Sequence, residues 1–150
     1  MNTFIVTQRI AAPVEAVWAA LADIGSIADW NPGVVASHTT SAQTDGLGAS
    51  RYCDLGRAGD LHEEVVAWEP ERKLTLRITD STLPFESTDI EFTLRPDDDG
   101  TVVTVAPVYA LKYGPLGRLL DRLMVRRTYE RGMEALLAGL KQHVESVAAA

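Results

Sequence analysis

Apolar and polar positions alternate at the start of the chain, recur at helical spacing for a short stretch, alternate again through the middle, and end in one long helical run. Thr3 to Ile10 is rich in β-forming residues. Pro13 suits the first turn of a helix, and Val14, Val17, Trp18 and Leu21 follow at helical spacing until Gly25. A second short helical piece, Ser26 to Trp30, meets the breaker cluster Asn31-Pro32-Gly33. Strands are then predicted over Val34–Thr40, Gly48–Gly56, Leu61–Trp68, Lys73–Thr79, Ser87–Arg95 and Thr101–Tyr109. Turns fall at Asp45-Gly46, Glu69-Pro70-Glu71 and Asp97-Asp98-Asp99-Gly100. The final helix is predicted from Leu116 to about Val147. Leu116, Leu119, Leu120, Leu123 and Met124 open its apolar stripe, and Met133, Leu136, Leu137, Leu140 and Val144 complete it.

This order predicts an α+β fold. Short turns can join all the strands, so the sheet is mainly antiparallel. Six or seven strands with alternating faces need one face covered. Only the last helix, roughly 45 Å long at the usual rise per residue, can cover it. A twisted sheet curled around such a rod leaves room for an interior cavity. The 150 residues form a single domain, residues 1–150, with no internal repeat or linker.

Composition narrows the function classes. One cysteine, Cys53, excludes an intramolecular disulfide and a cysteine-built zinc site. His38, His62 and His143 share no ligand spacing, so no metal and no cofactor is expected. No apolar run is long enough for a transmembrane segment. The N-terminus lacks the basic start and apolar core of a signal peptide, which predicts a cytoplasmic protein. The net charge of −7 argues against a nucleic-acid partner. That charge is uneven: residues 1–100 hold 7 basic and 17 acidic side chains, residues 101–150 hold 7 and 4. The basic excess between Lys112 and Arg131 could meet an anionic ligand or a membrane surface; a solvated helix face is the default for a charge run.

Five segments in order resemble the START-like superfamily, also called SRPBCC or helix-grip proteins, and within it the bacterial polyketide cyclase/dehydratase and lipid-transport group. They are Ala11–Trp18 (AAPVEAVW), Asp29–Val34 (DWNPGV), Glu64–Arg72 (EVVAWEPER), Gly100–Thr104 (GTVVT) and Leu137–Glu145 (LAGLKQHVE). The resemblance implies a curved seven-stranded sheet wrapped around the long C-terminal helix, with two short helices after the first strand. It also implies a largely apolar pocket whose entrance lies near those helices. Members bind lipids, sterols, hormones or polyketides, and some close or dehydrate aromatic rings.

Pocket candidates follow from polar or aromatic residues within elements that face the helix. If Val66 and Trp68 point inward, strand alternation brings Glu64 and His62 with them; the opposite register buries Val65 and Ala67 and exposes Glu64. Both faces are half apolar, so the pattern leaves the two registers open. Arg51 and Arg127 are candidate partners for a buried Glu64. Trp30 stands at the breaker cluster. Phe85 and Tyr113 fall on loops that could line an entrance, while Phe92 and Tyr109 share the inner faces of the last two strands. Leu120, Met124 and Met133 would add contact area from the helix. Cys53 has no evident base and reads as an inert buried thiol.

These residues favour a small hydrophobic ligand such as a lipid or polyketide, bound in the cavity of a monomer or homodimer. The alternative is a polyketide aromatase/cyclase or dehydratase in the same cavity, which needs an inward acid or base with a polar partner. A third reading, a pairing module on the basic helix face, predicts an exposed apolar patch beside Arg118, Arg122 and Arg126.

Overall fold

The first strand arrives in two pieces, β1 (Asn2–Thr3) and β2 (Val6–Ile10), both antiparallel to the last strand. Between them Phe4 turns inward and is buried while Ile5 points to solvent. The computed structural model describes residues 1–149. After β2 come α1 (Val14–Ala22) and a 3-10 helix (Ile24–Asp29). Six strands follow: β3 (Ala36–Thr39), β4 (Ser50–Asp54), β5 (Asp60–Glu69), β6 (Lys73–Ser81), β7 (Phe85–Asp97) and β8 (Gly100–Leu111). The chain closes with α2 (Gly114–Leu120), a π-helical turn (Asp121–Val125) and α3 (Arg126–Ala149).

All pairings are antiparallel, in the order β1/β2-β8-β7-β6-β5-β4-β3. With β1 and β2 sharing one place, the curved sheet has seven positions and grips the C-terminal helix as the pattern predicts. Alternation explains the inner face: Leu74 and Leu76 on β6, Ile90, Phe92 and Leu94 on β7, and Val103 and Val105 on β8 are buried. Leu136, Leu137, Leu140 and Val144 on α3 meet them. At the far end of α3, the Glu145 carboxylate accepts the backbone N–H of Ala11 and the ammonium of Lys141, tying the helix to the β2–α1 connection.

The structure resolves the open register of β5. Leu61, Glu63 and Val65 are buried on the inner face. The ladder to β6 then shifts between Val65 and Ala67, leaving Val66 as an extra residue. This bulge restores Trp68 to the inner side, where it meets Trp18 edge-on with ring centroids 5.1 Å apart. Val65 and Trp68 therefore both serve the core, which strict alternation forbids.

The expected continuous stripe of the last helix needs correction. Leu116, Leu119, Leu120, Leu123 and Met124 are exposed. The stripe that faces the sheet begins at Val125 and continues through Tyr129 and Met133. Leu123 and Val125 lie two residues apart, which is about 200° around a helix, so one face cannot hold both rows. Phe85 also differs from expectation: it opens β7 and does not sit on a loop.

Candidate functional site

Two packed clusters lie under the sheet. The larger centres on α1, the middle strands and α3; the smaller contains Phe4, Tyr109 and Leu111, with Phe85, Val125 and Tyr129 against it. Between them is a cavity of about 480 Å³. Its sheet wall comes from β4 to β7, through residues such as Leu61, Ile78, Ile90 and Phe92. Its helix wall comes from Val125, Tyr129, Gly132, Met133 and Leu136. Asn31 and Val34 border it at the breaker cluster, and Leu83, Pro84 and Phe85 at the β6–β7 connection.

The wall is largely apolar, and its charged groups are one pair. Arg51 on β4 and Glu63 on β5 face each other across the ladder and are both buried. Arg51 donates from Nε to Glu63 Oε1 at 2.9 Å and lies within 2.9 Å through a second guanidinium nitrogen. Its remaining nitrogen donates to the Ile24 carbonyl at 3.0 Å, which anchors the guanidinium to the 3-10 helix. A buried ion pair keeps its charges only when such bonds satisfy them. No hydrogen bond among the described residues reaches Glu63 Oε2. Cys53, beside the pair, directs its thiol at Oε1 from 3.9 Å. Burial pushes that thiol up to about 12, against a smaller downward pull from Arg51, so the sulfur stays protonated and is no nucleophile at neutral pH.

Tyr129 on α3 lines the same cavity as this pair. Its ring sits in an aromatic cage with Phe4, Phe85 and Tyr109, at centroid distances of 5.2, 5.3 and 5.1 Å. Its hydroxyl is buried and has no hydrogen-bond partner. Burial, and then the Glu63 charge, hold the phenol well above its usual range, so it stays a neutral donor. Tyr109 behind it is fully buried and donates to the Asp121 carboxylate at 2.5 Å, which fastens the π-helical turn to β8.

Of the residues singled out from the sequence, Arg51, Phe85, Phe92, Met124 and Met133 line the cavity. The others lie elsewhere. Glu64 stands on the outer face opposite Arg77, because the β5 register turns Glu63 inward instead. His62 is also on the outer face, its ring tilted 55° against that of Tyr52 with centroids 5.0 Å apart. Trp30 is buried in the main core, its indole N–H without a partner. Tyr109 supports the cage from behind the wall. Tyr113, Leu120 and Arg127 are exposed and do not reach the cavity. Tyr129 and Glu63 were not singled out. Tyr129 could have been found from the four-residue spacing Val125-Tyr129-Met133; Glu63 required the register. Among the described residues no cluster of His, Cys, Asp and Glu could hold a metal ion.

The family model for polyketide cyclase/dehydrase and lipid transport matches residues 1–145. The chain belongs to that family. The chain is similar to a START superfamily protein from Mycobacterium smegmatis, with TM-score 0.81 at 19% identity over 98% of this chain and 99% of that one. It is similar to the Zhui aromatase/cyclase from a Streptomyces species, with TM-score 0.82 at 18% identity over 96% and 93%. It also resembles the ginseng major latex-like protein 151 from Panax ginseng, with TM-score 0.76 at 13% identity over 95% and 96%. At these identities the likeness shows the fold alone. No curated protein matches the family member in sequence.

Proposed function

We propose that the protein binds a small hydrophobic molecule with one polar end, such as a lipid or a polyketide. The observation that carries this reading is the cavity of about 480 Å³, largely apolar, with Arg51, Glu63 and the unpartnered Tyr129 hydroxyl among its few polar groups. Its size falls within the roughly 300–1,000 Å³ of small-molecule sites, and a few convergent polar groups in an apolar wall are what such sites use for orientation. The apolar body of the ligand lies along Ile78, Ile90, Phe92 and Met133. Its polar end meets the Tyr129 hydroxyl, which can donate to a carbonyl, and Glu63 Oε2, which can accept from a hydroxyl.

Thermal shift against fatty acids, sterols and flat polyphenols tests this, because a ligand of the native state raises stability by mass action. At least one class should raise the melting temperature. Gly132 borders the cavity, and a β-carbon there would meet nothing within 4 Å. Gly132→Leu should therefore fold and lose the shift. No shift from any class, or a shift unchanged in Gly132→Leu, would overturn the reading.

A second reading, a cyclase or dehydratase in the same cavity, is favoured by one observation: Glu63 and Tyr129 share its polar end. Glu63 would accept an α-proton, and the Tyr129 phenol would donate to the carbonyl oxygen that becomes the alcohol, with the carbon–carbon bond forming between them. The Zhui aromatase/cyclase similarity adds a precedent on the same fold. Turnover of a poly-β-keto thioester lost in Glu63→Gln would establish it; unchanged product distribution with and without protein would remove it.

A further inference from the structure

The first turns of the C-terminal helix carry a surface that the fold leaves uncovered. Leu116, Leu119, Leu120 and Leu123 recur at three- and four-residue spacing on one side, and Leu123 is 66% exposed. Scattered exposed leucines are ordinary; a contiguous row marks a contact surface. Beside it, Arg118, Arg122 and Arg126 follow at four-residue intervals, all exposed, with Arg126 donating to Glu130 at 3.0 Å and the other two in no ion pair among the described residues. From Lys112 to Arg131 the chain carries 6 basic and 2 acidic side chains, whereas the remainder carries 8 and 19. Of those two acids, Asp121 is buried against the Tyr109 hydroxyl, so its charge is withdrawn from the surface.

We propose that this face docks on an anionic lipid bilayer, with α2 and the π-helical turn lying in the interface. The leucines enter the acyl boundary and the arginines meet lipid phosphates, the arrangement of an interfacial amphipathic helix. Charge chooses the bilayer over a second copy of the chain. A two-fold pairing would set this basic patch against itself, since both partners present the same surface. A neutral membrane would use the leucines, but the cation beside each phosphate cancels its charge, so the arginines would gain little there.

The site also has a functional place. Met124 is 64% exposed on the apolar row and lines the cavity as well. Docking therefore brings the cavity's helix-side rim against the hydrocarbon, so an apolar molecule can pass between them without crossing water. The helix is π-wound at this point, a local form frequent at functional sites. The docking concerns the surface alone and holds whatever the cavity contains.

Co-sedimentation with vesicles of phosphatidylcholine alone and of phosphatidylcholine with phosphatidylglycerol tests it. The expected result is binding to the anionic vesicles, loss of that binding at high salt, and none to the neutral ones. Arg122→Glu should weaken partitioning by about tenfold or more. Leu123→Ser should weaken it too, and both exposed variants should melt like wild type. Absence of binding to anionic vesicles at low salt would overturn the proposal. So would binding that ignores both substitutions, or a Leu123-dependent dimer in light scattering, which would give the face to a second copy.

Discussion

Gly139 on α3 lies so close to Trp30 that a β-carbon on the glycine would stand 2.0 Å from the tryptophan's carbonyl oxygen. The obstacle is backbone, so it cannot swing aside as a flexible side chain would. Gly139→Ala should force the helix off the Trp30–Pro32 segment and cost about 1–3 kcal/mol or more, as overpacking does. In a chain of this length that is a fall of several degrees in melting temperature. Because Asn31 borders the cavity, the variant should also bind any cavity ligand less well.

Arg51 and Glu63 give a second test. Removing one partner strands the other charge in the interior, so Arg51→Met should cost about 3–5 kcal/mol in denaturant unfolding. Changing both, Arg51→Met with Glu63→Met, should recover most of that loss, since an apolar pair leaves no charge to satisfy. A double variant as unstable as the single one would show that Arg51 acts mainly by holding the Ile24 carbonyl.

Cys53 sets a dependence on alkaline pH. Its thiol titrates at 9.0 ordinarily and at about 12 in the folded protein. The folded state thus keeps a proton that the unfolded state releases. The stability this contributes is complete below pH 9.0 and falls as pH rises toward about 12. Unfolding free energy should decline with pH across that window in the wild type and decline less in Cys53→Ala. At neutral pH the native thiol should resist an aromatic disulfide reagent that reacts with the urea-unfolded chain.

Tyr129→Phe separates stability from binding. The hydroxyl it removes is buried with no partner, so the folded protein loses no hydrogen bond. Melting should be unchanged or slightly raised. Affinity for a ligand bearing a carbonyl should fall by about fivefold to tenfold, the worth of one neutral hydrogen bond. A variant that melts well below wild type would show that the hydroxyl is satisfied in the protein.

The order of elements, the antiparallel sheet and the covering helix were all legible in the sequence, because periods of two and of about four residues record which faces are buried. Phe92 and Met133 could be placed near the cavity on that ground, whereas Arg51 was named only as a partner for Glu64 and pairs with Glu63 instead. Glu63 could not. Its side depends on the bulge at Val66, and both faces of β5 carry apolar residues on either count. The leucines of α2 misled for a related reason. An apolar row is written identically whether it meets a sheet or remains uncovered, and only the angle between Leu123 and Val125 distinguishes the two rows. His62 and Glu64 were lost to the cavity through the same register that gained Glu63.

One spare residue in β5 has a consequence for how such a hollow can change its chemistry. Val66 lets the strand offer a carboxylate near one end and an indole near the other, both turned to the same side. A chain shortened there by a single position would keep almost the same profile of greasy and wetted residues, yet one of those two groups would be sent outdoors. The lining of the chamber can therefore be rewritten by slipping the strand, with no new amino acid required.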